Sequence, residues 1–114
     1  MIESVHPSTL LDETIHQRVR LGLLAVLTEA DSADFIYLKE RLGLTDGNLS
    51  RHLQVLEEAG FVQIEKAFVG KRPRTWIHAT RRGRHAFADH LATLQMLIDM
   101  AGAAEAGRNE RSGE

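Results

Sequence analysis

Within residues 45–60, T-D-G-N-L-S-R-H-L-Q-V-L-E-E-A-G, the spacing puts Gly47, Ser50, Arg51, Gln54 and Glu58 on one side of a helix, with Asn48 and His52 on its flanks. Arginine offers a planar fork of donors, glutamine and asparagine pair a donor with an acceptor, and a serine hydroxyl does both. A bare glycine lets another molecule approach the backbone. These residue types are suited to recognition by hydrogen bonding. Leu49, Leu53, Leu56 and Ala59 fall on the opposite side, so none of the outward residues is needed to hold the helix in place. An ordinary solvated helix face would carry similar residues, and this helix alone leaves both readings open.

Other chemistries find less support. The chain has no cysteine, which excludes disulfides, thiolate metal sites and cysteine nucleophiles. No Ser-His-Asp order with a nucleophile turn, glycine-rich phosphate loop or H-E-x-x-H motif occurs, and Glu57 and Glu58 point different ways, so no enzyme is expected. His85 and Asp89 are four apart with His90 beside them, a start toward a bivalent cation bridging two helices. The three or four ligands of a complete shell cannot be assembled, and neither metal nor cofactor is expected. Trp76 and Tyr37 do not make a stacking platform for single-stranded nucleic acid.

The surrounding elements follow from periodicity. Ile15, Val19, Leu23, Val26 and Leu27 predict a first helix over Leu10 to Ala30, with a second apolar flank at Leu21, Leu24 and Ala25. A polar break at Asp31–Asp34 precedes a short helix marked by Phe35, Leu38 and Leu42 and stopped by Gly43. Thr45 is the expected N-cap of the third helix, Asp46 suits the positive end of its dipole, and Gly60 caps its far end. F-V-Q-I-E-K-A-F-V and R-T-W-I-H-A then read as a hairpin about a Gly-Lys-Arg-Pro turn, its tip carrying Lys71, Arg72 and Arg74 with Pro73 as a stiffener. Thr80 caps a last helix expected from about Arg81 to Ala101. Residues 1–101 are read as one domain and 102–114 as a disordered tail.

A short helix, a glycine-containing turn and a second helix with polar residues near its start form the helix-turn-helix pattern, whose second helix lies in the DNA major groove. Arginine can pair with guanine, glutamine or asparagine with adenine, and serine or the backbone at Gly47 with phosphate or sugar. Charge supports this reading. Between Arg41 and Arg84 nine Lys or Arg stand against four acids, whereas the rest of the chain has five against twelve. A basic middle in a chain of net charge −2 is the footprint of one surface built to face phosphates.

The ordered set L-G-L-T-D-G-N-L-S-R-H-L-Q-V-L-E-E-A-G-F-V, then G-K-R-P-R-T-W-I-H-A-T, then T-R-R-G-R-H-A-F resembles the winged helix-turn-helix transcriptional regulators of the ArsR and MarR-like kind. It is most similar to the compact winged-helix DNA-binding domain family, in which L-T-D-G-N-L-S-x-H-L opens the recognition helix and T-x-x-G the final helix. The resemblance spans about Ile15 to Leu97. It implies a mainly α fold with a small β-hairpin wing and N- and C-terminal dimerisation helices. It also implies a homodimer on a partly palindromic duplex operator, with Thr45, Gly47, Asn48, Ser50, Arg51, His52 and Gln54 at or beside the reading helix and Lys71, Arg72 and Arg74 on the wing. The cysteine motif of thiolate metal sensors is absent.

The last helix bears Phe87, Leu91, Leu94 and Ile98 at separations of 4, 3 and 4, the spacing of a two-helix seam, broadened by Met96, Leu97 and Met100. These four are the expected dimer contacts. Two other uses of the fold stay open: a winged helix that binds protein, and a regulator with a small-molecule effector held between the dimer helices. The start of the chain lacks a signal-peptide pattern and no apolar run is long enough to span a bilayer, so a soluble, cytoplasmic protein without membrane partners is expected.

Overall fold

A computed structural model of the chain describes residues 6–112. After a 3-10 turn at Pro7–Leu10 come α1 (Arg18–Ala30), β1 (Ser32–Asp34), α2 (Phe35–Leu42), α3 (Asp46–Glu58), β2 (Val62–Val69), β3 (Arg72–Ala79) and α4 (Arg81–Ser112). Ile15, Leu23, Leu24, Leu27, Leu38, Leu49, Leu56 and Ile77 are fully buried in one core, the expected mainly α fold with a β-hairpin wing. None of the helices among the described residues is long and apolar enough to cross a membrane.

Local chemistry sets the helix ends. Gly43 terminates α2 in the left-handed region at φ +65°. Thr45 then caps α3 by accepting the Asn48 N–H at 3.1 Å. The first helix begins at Arg18, not Leu10, because two polar side chains stop it from extending backwards. Asp12 Oδ1 accepts the Thr14 N–H at 2.8 Å, and Gln17 Oε1 accepts the Val19 and Arg20 N–H groups at 2.9 and 3.0 Å. Ile15 is buried without being helical, so apolar periodicity marked burial there and not a helix.

The polar break holds a third strand. Ser32, Ala33 and Asp34 pair antiparallel with His78, Ile77 and Trp76, giving the sheet order β1-β3-β2. The hairpin turn is shorter than expected: Val69 pairs with Arg72, leaving only Gly70 and Lys71 between the strands, with Gly70 at φ +66°. Pro73 therefore belongs to β3, opposite Phe68. Counting outward from the turn makes this a pair without ladder hydrogen bonds, so the missing proline N–H disrupts nothing.

The start of α4 is fixed by Thr80 and Gly83. The Thr80 hydroxyl accepts the Gly83 N–H at 2.9 Å and donates to the Gly60 carbonyl at 2.6 Å, while its own N–H donates to the Phe61 carbonyl at 3.0 Å. A Cβ on Gly83 would lie 2.0 Å from that Phe61 oxygen, so only glycine permits the approach. The helix runs past Ala101 to Ser112, where Ala103, Ala104, Ala106 and Glu105 are exposed strong helix formers. Residues 113 and 114 of the expected tail lie outside the described residues.

The seam expected from Phe87 needs correction. Phe87 is 7% exposed within the chain's own core, and the buried face of α4 continues through His90 and Thr93. Two polar residues on that face hid its direction from a reading of apolar spacing. Asp12 N–H donates to His90 Nδ1 at 3.4 Å, which puts the ring proton on Nε2, 3.2 Å from His16 Nδ1. Burial and the neighbouring His16 lower the His90 pKa from 6.5, with Asp12 opposing.

Gly83→Ala is expected to lower stability by about 3 kcal/mol in thermal or urea unfolding, because neither backbone can yield. Since the folded state disfavours charged His90, its clasp is complete above about pH 6.5 and weakens as pH falls below that value. Melting temperature should decline from pH 7.5 to 5, and His90→Gln should flatten the decline.

Candidate nucleic-acid interface

Burial of Leu49, Leu53 and Leu56 fixes the rotation of α3 about its axis and leaves Gly47, Asn48, Ser50, Arg51 and Gln54 exposed. The helix is held at its start by Lys39, whose Nζ lies 3.0 Å from Asp46 Oδ1. Space around Gly47 is open for 4 Å from where a Cβ would stand, so a large ligand can approach the backbone there. Asn48 Oδ1 accepts from Arg51 Nη2 at 2.8 Å, which aligns the guanidinium along the outer face. Gln54 Nε2 donates to Glu58 Oε1 at 3.3 Å. Thr45, although exposed, has its hydroxyl engaged as the cap.

His52 is turned toward α1. Arg20 Nη1 approaches its Nδ1 at 3.3 Å, and Arg20 Nε donates to the Thr14 carbonyl at 2.5 Å. Burial, then Arg20 and Arg51, lower the His52 pKa, so the ring is neutral near pH 7 and accepts from Arg20. His52 thus ties α3 to α1 and the turn before it instead of joining the outward set.

The hairpin supplies a second cationic edge. Lys71 and Arg72 are exposed at its tip. Arg74 is different: its Nη1 is 3.6 Å from Asp34 Oδ2 and its guanidinium sits 5.9 Å from the Trp76 ring centroid, so its charge is partly answered within the chain. Arg84, counted in the basic stretch, points at the end of α1, donating to Asp31 at 2.8 Å and to the Thr28 carbonyl at 3.2 Å. Lys66 was not singled out from sequence, yet it lines a groove with Ser50, Phe35, Leu53, Ile64 and Thr75, between α3 and the wing. Strand alternation could have found it, since Val62, Ile64 and Lys66 share the face that packs toward α3.

The histidines considered as ligands separate. His85 and Asp89 are exposed beside Phe61, Arg81 and Arg82 in an open cleft, whereas His90 is buried on another side of α4. Among the described residues no three His, Asp or Glu side chains come together as a metal site. Phe87 lies in the core, Leu94 is half-buried, and Leu91 and Ile98 are 46% and 61% exposed.

Comparison with known proteins agrees with this geometry. Protein MJ0432 of Methanocaldococcus jannaschii is 44% identical over 79 residues, covering 69% of this chain and 86% of that protein. A transcriptional regulator homologue from Pyrococcus horikoshii superposes with a TM-score of 0.77 at 32% identity, over 82% of this chain and 93% of that one. The ytfH protein of Salmonella typhimurium shares the fold at a TM-score of 0.65 and 21% identity, over 90% and 91% of the two chains. Residues 19–98 match the profile of one family along most of the chain, and the protein is accordingly a member of the winged helix DNA-binding domain family.

Proposed function

We propose that the protein is a homodimeric regulator of transcription that binds duplex DNA in a sequence-dependent way, with α3 in the major groove and the β2–β3 wing along the flanking backbone. The observation that carries this reading is the outward set on α3: Arg51, braced by Asn48, stands exposed beside Ser50 and Gln54, directly above the buried leucine stripe. Arg51 is placed to read guanine and Gln54 or Asn48 adenine, while Ser50, Lys66, Lys71 and Arg72 serve phosphates. Family membership and the likeness to a transcriptional regulator homologue support the same conclusion.

Dimerisation is proposed from α4. A 32-residue helix is about 48 Å long, and the molecule is 71 Å in its longest dimension against 22 Å in its shortest. Leu91, Met96, Ile98 and Met100 are exposed along the outer part of that helix. Burying such side chains is worth roughly 1.5 to 3 kcal/mol each, which a second copy of α4 would supply. In a twofold dimer the two α3 helices would sit roughly 34 to 36 Å apart, matching successive major grooves.

Arg51→Ala should weaken binding to a selected duplex by about 1 to 3 kcal/mol and relax preference at one base pair, as read by competition among duplex variants. Lys71→Ala should instead weaken all duplexes alike and reduce the salt slope by about one. A variant of Arg51 with unchanged affinity and preference would remove α3 as the reading element. Ile98→Glu, in sedimentation experiments, should convert the dimer to monomer without unfolding it, since the residue is exposed in the single chain.

A further inference from the structure

Phe68 is 73% exposed, more than any other large apolar side chain among the described residues, and Val69 beside it is 55% exposed. Both stand at the end of the hairpin. Resting on the DNA-binding reading above, we propose that the wing carries an apolar wedge, Phe68 backed by Pro73, that enters the minor groove flanking the segment read by α3.

The direction of the ring follows from register. Phe68 alternates with Val62, Ile64 and Lys66, so it lies on the sheet face that packs toward α3, two residues beyond Lys66, which lines the groove containing Ser50. Glu65, Ala67 and Val69 share the opposite face with Arg72, Arg74 and Trp76. Pro73 is the direct cross-strand partner of Phe68 on the inner face, and such non-hydrogen-bonded pairs bring side chains closest together. The two-residue turn keeps the tip narrow, so the side chains at its end project ahead of the strands.

Charge around the tip selects the occupant. Lys66 is exposed on the same face as Phe68 and Lys71 and Arg72 are exposed at the tip, whereas Glu65, the hairpin's single acid, is further from the tip and on the other face with Arg72. An exposed aromatic ring on a hairpin end that carries cations matches a groove with phosphates on its rims and sugars and base edges within. Apolar side chains inserted there partly unstack a base step and bend the duplex. A second copy of this hairpin would bring like charges together.

The test is fluorescence anisotropy with a duplex recovered by selection on the wild-type chain, titrated over a range of salt. Phe68→Ala should bind about tenfold more weakly at every salt concentration with an unchanged salt slope, because an apolar contact releases no counterions. 2-Aminopurine placed in the flanking steps should brighten on binding the wild type, through unstacking, and stay dark with Phe68→Ala. Unchanged affinity and unchanged brightening in Phe68→Ala would overturn the wedge and leave the DNA-binding reading standing. Wild-type protein lacking any salt-sensitive affinity for duplexes would overturn both. A Phe68→Ala chain that sediments as a smaller species while retaining DNA affinity would make the tip a contact between copies and also overturn the wedge.

Discussion

The orientation of α3 depends on burying one stripe of leucines. Leu49, Leu53 and Leu56 are removed from water against the core that also holds Leu23, Leu27 and Leu38. At 3.6 residues per turn this determines which side chains face outward, whatever their chemistry. Rotation by one residue would bury Ser50 or Gln54 without partners, a cost of a few kcal/mol per unsatisfied group. Core packing therefore sets the outward face of α3 with no direct contribution from Arg51 or its neighbours.

The wing has a separate anchor. Thr80 joins the first turn of α4 to the carbonyl of Gly60, and Gly83 lets the Phe61 backbone come against that turn. Both contacts bracket the hairpin, since β2 starts just after Phe61 and β3 ends just before Thr80. The T-x-x-G motif thus has a physical meaning: a hydroxyl with two partners and a position where a methyl group cannot fit. Fixing the hairpin's base brings Lys66 beside Ser50 and so combines helix and wing into one surface.

A polar chain connects the elements further. His90 on α4 accepts from the Asp12 backbone, Asp12 accepts from Thr14, the Thr14 carbonyl accepts from Arg20, and Arg20 reaches His52 on α3. These bonds account for the half-buried polar groups before α1. They also explain why His52, expected among the DNA-facing residues, has an inward role, and why Arg20 contributes little to the outer charge.

Much of the architecture was legible in the sequence because the relevant signals are local. Thr45 and Gly43 mark helix ends by their own hydrogen bonding and backbone freedom, and the leucine spacing of α3 follows from helix geometry. Tertiary structure decided what depends on partners distant in the chain. Ser32–Asp34 becomes a strand only through β3, the charges of Arg74 and Arg84 are partly answered by Asp34 and Asp31, and Phe87 turns inward on a buried face that also holds polar His90 and Thr93. Periodicity reports the apolar residues of a helix. Hydrogen bonds to other segments determine which polar residues join them, and those bonds exist only once the chain has folded.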